Sequence, residues 1–168
     1  MDKQGISPGV GVKVVAMLLM LGGIYGAIWG LYEEWQVLTR IGLAPAAWTG
    51  LFVVLFGWCT WVGFEVWHGE RWAFKIAKVI FAAQIPNFTL PGFSFDGFFT
   101  GLRVYFMVSG QPPNLRWGFN LASGIHFAIS PQLDFWLFGI NLIAVVALVH
   151  LVRATADKAP TSDKFGLI

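Results

Sequence analysis

Residues 14–32 read VVAMLLMLGGIYGAIWGLY, nineteen consecutive residues without a charged side chain. A helix that crosses a bilayer needs about 20 mostly apolar residues, so this stretch and its flanks predict a transmembrane helix over 12–33. Lys3 and Lys13 precede it, as basic residues precede the apolar core of a secretion signal. The stretch is longer than such a core, and it ends in glutamates rather than in a small-residue cleavage motif. We therefore expect the helix to be retained.

The composition of the whole chain also favours a membrane protein. Of its 168 residues, 57% are apolar and 12% are charged, and the mean hydropathy is +0.67. Soluble domains average roughly 45–50% apolar and about 25% charged residues. We expect a single membrane domain with the lipid bilayer as its solvent. The basic residues are scattered rather than clustered, which argues against nucleic acid as a partner.

Three further apolar stretches complete the prediction of an α-helical polytopic membrane protein with about four transmembrane helices. The second helix is predicted over 46–67 and the fourth over 133–153, where Asn141 is the one polar interior residue. An amide at that depth is expected to hydrogen-bond a neighbouring helix. The third helix, 72–91, is less regular, because Pro86 removes a helical hydrogen bond and clashes with the preceding turn. We expect this helix to kink or end there and to span incompletely.

The orientation follows from the Lys and Arg residues, which are enriched in short cytoplasmic loops. With these four spans, one side of the membrane carries eight of them: Lys3, Lys13, Arg71, Lys75, Lys78, Arg153, Lys158 and Lys164. The other side carries three: Arg40, Arg103 and Arg116. We therefore expect both termini, including the tail 154–168, to be cytoplasmic, and we place the protein in a bacterial inner membrane.

The segment 94–131, between the third and fourth helices, is predicted to be a β-hairpin on the outer face. From Leu115 to Ile129, large apolar residues alternate with small or polar ones, a period of two that is typical of a strand. The residues 98–108 are rich in aromatic and β-branched side chains, and a turn sequence, 110–114, joins the two runs. A lone hairpin is marginally stable and has unpaired edges, so we expect the bilayer, a partner or another copy to cover it.

Gly22, Gly26 and Gly30 recur every four residues and form a smooth stripe on the first helix. Such a small-xxx-small pattern lets another helix approach closely. The partner helix can belong to a second copy or to the same chain, and the pattern does not choose between the two.

Two groups of polar residues within the predicted spans are candidate sites. Gln84, Asn87 and Asn141, with Glu65, are candidates for lining a polar pathway near the broken third helix. Glu65, His68 and His150 are predicted at a similar cytoplasmic depth, where a carboxylate and two imidazoles can bind a divalent metal or haem iron. The alternative for this second group is a hydrated position at the headgroup boundary, with Glu65 paired to a nearby Lys or Arg.

The chain has no phosphate-binding glycine loop, His-Glu-x-x-His motif, nucleophile elbow or Cys-x-x-Cys pair. The sequence therefore favours a non-enzymatic integral membrane subunit that assembles with itself or with a membrane complex through its glycine stripe and hairpin. The alternatives are a small channel or transporter, and a carrier of haem or metal; the leading hypothesis needs no cofactor.

Overall fold

The computed structural model describes residues 6–40, 43–110, 112–121, 124–130 and 135–156. Within these ranges the chain forms four helices and six strands. In chain order they are α1 (Val10–Arg40), α2 (Leu43–His68), α3 (Arg71–Ala83), β1 (Pro86–Leu90), β2 (Gly92–Phe98), β3 (Arg103–Ser109), β4 (Asn114–Asn120), β5 (Gly124–Ser130), β6 (Leu137–Asn141) and α4 (Leu142–Ala156).

The predicted bundle of four transmembrane helices is wrong. In the described part of the chain, two helical segments have the length and apolarity to cross a membrane, Val10–Glu33 and Gly50–His68. α3 has 13 residues and α4 has 15, which gives lengths of about 20 Å and about 22 Å at the helical rise. Neither spans a hydrocarbon layer of about 30 Å.

The third predicted helix, 72–91, ends at Ala83 because the sequence after it favours extended backbone. Pro86 is the first residue of β1, a position that needs no backbone N–H donor. Proline also disfavours the helical conformation in the residue before it. The side chain of Gln84 occupies the end of the helix, where its Nε2 donates to the carbonyl of Ile80 at 3.1 Å.

The fourth predicted helix, 133–153, begins only at Leu142. The backbone N–H of Ala144 donates to Oδ1 of Asn141 at 3.4 Å, so Asn141 caps the helix from the position where asparagine is strongly preferred. It does not bond another helix from the middle of a span, as we expected. The residues before it, Leu137–Asn141, form a strand, and residues 133 and 134 lie outside the described ranges.

The predicted outer hairpin is also wrong, because the region belongs to a six-stranded antiparallel sheet with the strand order β4-β3-β6-β1-β2-β5. The alternating stretch 115–129 is divided between β4 and β5, which are the two edges of this sheet. One predicted connection is present: β3 pairs with β4 across the turn that begins at Gly110, which has a φ of +80°. The alternation correctly indicated extended backbone. It could not show that the stretch is divided into two strands.

The sheet curves strongly. A flat sheet of six strands would hold its two edges about 24 Å apart, at about 4.8 Å between neighbours. Three residues connect the end of β4 to the start of β5, and such a link spans at most about 14 Å. On the inner side of the curve, the guanidinium of Arg103 on β3 pairs with the carboxylate of Asp96 on β2.

The helices pack around one core at the end of the molecule where α1 starts and α4 finishes. Buried side chains from all four helices meet there, among them Leu19, Val62, Phe74 and Leu151. The chain ends are held at the same level, since the N–H of Ile6 donates to the carbonyl of Gly69 at 2.8 Å. The sheet continues from the end of α3 and leads into the start of α4, and the loop between β2 and β3 contacts α1.

The glycine stripe is filled from within the chain. A Cβ atom at Gly26 would overlap the ring of Phe56 on α2, and one at Gly30 would lie 2.9 Å from Cγ2 of Val53. A Cβ at Gly22 would overlap the backbone of residues 99–101, between β2 and β3. The stripe therefore brings α2 and the sheet against α1.

Replacing Gly26 by leucine should destabilise this packing, because the larger side chain must displace a buried phenylalanine. We expect Gly26→Leu to lower the free energy of unfolding by about 1–3 kcal/mol, the usual cost of overpacking, measured by thermal unfolding in mild detergent. Gly57→Leu is the matched control, since a Cβ at Gly57 meets nothing within 4 Å. Equal unfolding temperatures for the two variants would contradict the observed packing.

Candidate functional site

One face of the sheet is apolar in each strand whose side chains are described. This apolar face consists of Val104, Phe106 and Val108 of β3, Leu115, Trp117 and Phe119 of β4, Phe138 and Ile140 of β6, Phe88 and Leu90 of β1, and Phe93 and Phe95 of β2. The register places them opposite one another from strand to strand.

Much of the apolar face is uncovered. Leu115, Trp117 and Phe119 are 62%, 79% and 69% exposed, and Phe138 is 53% exposed. Single exposed apolar residues are ordinary in proteins, but a continuous patch of large ones marks a surface that contacts a membrane or another protein. The apolar face is therefore the strongest candidate for an interaction surface.

The opposite face of the sheet carries polar side chains that are buried on β1, β2 and β3. They are Asn87, Thr89, Ser94 and Arg103. The hydroxyls of Thr89 and Ser94 bond each other at 3.0 Å. In this part of the sheet the polar side chains are the buried ones, the reverse of the distribution found in soluble proteins, whereas the polar side chains of β4 are exposed.

Three of the four residues predicted to line a polar pathway lie together. Gln84, Asn87 and Asn141 form what we call the polar junction, where α3 leads into β1 and β6 leads into α4. The N–H of Asn141 donates to the carbonyl of Ile85 at 2.9 Å, and Asn87 pairs in register with Gly139.

Glu65 is not part of the polar junction. Its Oε1 accepts a bond from Nε1 of Trp61 at 3.0 Å, and the N–H of Glu70 donates to its backbone carbonyl at 3.0 Å. Glu65 thus lies near the start of α3, and the polar junction follows the end of the same helix, about 20 Å away at the helical rise.

Some side-chain amide atoms of the asparagines in the polar junction have no hydrogen bond. Among the described residues, neither side-chain polar atom of Asn87 has a partner, nor does Nδ2 of Asn141. Gln84 differs, because its Oε1 accepts a bond from the N–H of Phe99 at 2.8 Å and its Nε2 donates to Ile80. Gln84 therefore ties the end of α3 to the loop that meets Gly22.

The proposed metal or haem ligands are not assembled. Within the described ranges, no group of three His, Cys, Asp or Glu residues is placed to hold a metal ion. Nδ1 of His68 lies 2.8 Å from the carbonyl oxygen of Phe64, one turn earlier on the same helix. His150 packs against Gly11 on α1, where an added Cβ would lie 2.8 Å from its Nδ1.

Comparison with protein families, curated proteins and solved structures gives no match. The function is therefore argued from the residues and their geometry.

The sequence also contains a signal for the part of the apolar face on β1 and β2. From Phe88 to Asp96, phenylalanine and leucine alternate with threonine, serine and aspartate, interrupted by Pro91 and Gly92. This is the period of two expected of paired strands joined by a turn. The helix predicted over 72–91 includes its first four residues, because a spanning helix needs about 20 mostly apolar residues.

Removing the side-chain amide of Gln84 and removing that of Asn87 should have different effects on the stability of the protein. Gln84→Met leaves the N–H of Phe99 without its acceptor, so we expect a loss of about 1–3 kcal/mol in the free energy of unfolding. Asn87→Leu removes a buried amide with no partner in the described residues, so we expect little change or a gain in stability. Thermal unfolding of both variants in detergent is the measurement. A larger loss for Asn87→Leu would mean that its amide is bonded.

Proposed function

We propose that this protein is a non-enzymatic integral membrane subunit that assembles with copies of itself through the edges of its curved sheet. The observation that carries the proposal is the level at which the sheet meets α1. The backbone of residues 99–101 packs on Gly22, which lies twelve residues after Val10 and eleven before Glu33, the bounds of the candidate span. The sheet therefore begins at mid-span.

The two long helices support a lipid environment. In an apolar stretch of 18 residues within each helix, 33% of the residues are buried in Val10–Glu33 and 28% in Gly50–His68. The core helix of a soluble protein would be mostly buried. The exposed residues include Leu21, Ile28 and Val54, so bilayer hydrocarbon is the natural medium for these surfaces.

The lengths of α3 and α4 support the same arrangement. Each covers about two thirds of a hydrocarbon layer of about 30 Å, and the sheet continues from both in the remaining depth. The apolar face would then contact lipid, and the polar face would point away from it. This assignment explains why Asn87, Thr89 and Ser94 are buried although they are polar.

The orientation is proposed from the charges at one end of the helical core. Lys13, Arg71, Lys75, Lys78 and Arg153 all lie near the start of α1 or α3 or the end of α4, and we call this the cationic end. Because cytoplasmic loops are enriched in such residues, we place this end, with both termini, in the cytoplasm, and the sheet toward the outer side of an inner membrane.

Assembly follows from the two sheet edges. In hydrocarbon each unpaired backbone N–H or carbonyl costs several kcal/mol, so open edges are not tolerated next to lipid. Within the described residues, β4 pairs only with β3, and β5 only with β2. Each is seven residues long, so β4 of one copy matches β5 of the next, and the apolar face would continue across the junction.

Cysteine cross-linking tests this pairing. We expect a Trp117→Cys, Phe127→Cys variant, built on Cys59→Ala, to form covalent dimers and larger species on oxidation in membranes, seen on non-reducing gels. The two positions lie on β4 and β5, and pairing between copies brings such Cα atoms to the distance of about 4.4–6.8 Å that a disulfide requires.

The control places the second cysteine on an inner strand. Phe88→Cys lies on β1, which β6 and β2 flank on both sides, so a Trp117→Cys, Phe88→Cys variant should stay monomeric. A cross-link that forms only within monomers would mean that the two edges close on each other, and it would refute assembly through them. Dimers in both variants would point to nonspecific collision.

A small channel or transporter is the second candidate, favoured by the unbonded amide of Asn87 and the unbonded Nδ2 of Asn141 at the polar junction. Such groups can bond a water molecule or an ion. Reconstituted liposomes should then conduct small ions or take up amines, and Asn87→Leu should reduce the rate. Absence of flux for ions, protons and amines would remove this candidate.

A further inference from the structure

The cationic end contains a pocket with an unusual concentration of positive charge. It has a volume of about 190 Å³ and is lined by Arg71, Lys75 and Lys78 of α3, Ile6 before α1, and Thr155 of α4. The three basic residues are spaced four and three apart, so they share one face of the helix. Elements from three parts of the chain thus form one concave site.

Among the residues that the structure describes, no carboxylate forms an ion pair with the cations of this pocket. Among the described residues, the carboxylate–cation pair within 4 Å is Asp96 with Arg103, in the sheet. Glu65 is bonded to Trp61, and neither Glu65 nor Glu70 lines the pocket. Like charges on one helix face repel each other, and a bound anion would relieve that repulsion.

The pocket also holds one of its cations in place. Nζ of Lys78 donates to Oγ1 of Thr155 on α4 at 3.3 Å, so this ammonium is directed across the pocket rather than into solvent. Arg71 supplies a planar donor group that suits two oxygens of one phosphate, and Lys75 adds a compact charge. A tetrahedral phosphate is the anion that these donors fit.

Apolar surface adjoins the charges. Val79, next to Lys78 on α3, is 66% exposed, and Trp72, next to Arg71, is 38% exposed. Neither residue lines the pocket; both lie about a quarter turn of the helix from the basic face, where the acyl chains of a bound lipid could contact them. Basic pockets between membrane helices on the cytoplasmic side are a known means of binding anionic headgroups.

We infer that Arg71, Lys75, Lys78 and Thr155 form a binding site for the phosphate of an anionic phospholipid in the cytoplasmic leaflet. The lipid as source of the phosphate rests on the proposed membrane location, whereas the affinity for a phosphate group rests on the pocket alone. The two parts are separable by experiment.

The test is a titration of the purified full-length protein in mild detergent, followed by tryptophan fluorescence, with short-chain phosphatidylglycerol, short-chain phosphatidylcholine and inorganic phosphate. The wild type should bind the anionic lipid more tightly than the zwitterionic one. The double variant Lys75→Gln, Lys78→Gln should bind phosphatidylglycerol about 25-fold more weakly. Each cation near an anionic lipid contributes about fivefold to the affinity, and the variant lacks two of them.

The matched control removes two cations from the same end but outside the pocket, as Lys13→Gln with Arg153→Gln. Lys13 lies over the ring of Trp67, and Arg153 lines a different pocket beside His150. This variant should retain most of the affinity for phosphatidylglycerol. The site would be overturned if both double variants lost the same affinity for phosphatidylglycerol. It would also be overturned if the wild type bound both lipids equally and did not bind phosphate.

The inorganic phosphate arm identifies the source of the ligand. If inorganic phosphate binds more tightly than phosphatidylglycerol and its binding depends on Lys75 and Lys78, the site is supported and its ligand is a soluble phosphate compound. If phosphatidylglycerol binds more tightly, the lipid is the ligand. Sedimentation of the wild type with alkali-washed membranes tests the membrane location separately. The phosphate site can therefore be supported even if the membrane location is refuted, and the reverse also holds.

Discussion

The close approach of the sheet to α1 at Gly22 is the contact on which the rest of the architecture depends. Only a glycine admits the backbone of residues 99–101 there, since any Cβ would overlap it. The contact holds the loop between β2 and β3 at the middle of α1. The sheet continues from the end of α3 and leads into the start of α4, which have 13 and 15 residues.

Gln84 connects this contact to the rest of the fold. It closes α3 through Ile80 and holds Phe99 through its amide oxygen, so a single buried side chain positions both the end of a helix and the loop that meets Gly22. The ring of Phe99 lies 5.4 Å from that of Phe56 on α2, which in turn fills the space left by Gly26. The glycine stripe, the sheet and α2 thus form one packed unit, and polar groups are buried where the elements join.

The sequence predicted the two long helices because each is a continuous apolar run, for which hydropathy is a sufficient signal. It misplaced α3 and α4, because averaging over a window of about 20 residues cannot separate a helix from a helix joined to apolar strands. Phe88 and Phe138 lie in strands close in sequence to α3 and α4, and only the alternation of side chains shows that these stretches are extended. The polar junction was partly anticipated, since Gln84, Asn87 and Asn141 stood out as polar interruptions. The pairing of β6 between β1 and β3 is non-local, and no local pattern reports it.

The position of β6 also constrains how the sheet can form. β1, β2 and β5 make one paired unit and β3 and β4 make another, and β6 joins them although it is the last strand in the chain. Its partner Asn87 lies more than fifty residues before Gly139, and such non-local pairing carries the cost of closing a long loop. The helical pair α1 and α2 is local and apolar, so we expect it to form first and to present Gly22 as a docking point. The sheet is then completed against an existing helical surface when α4, capped by Asn141, brings β6 into place.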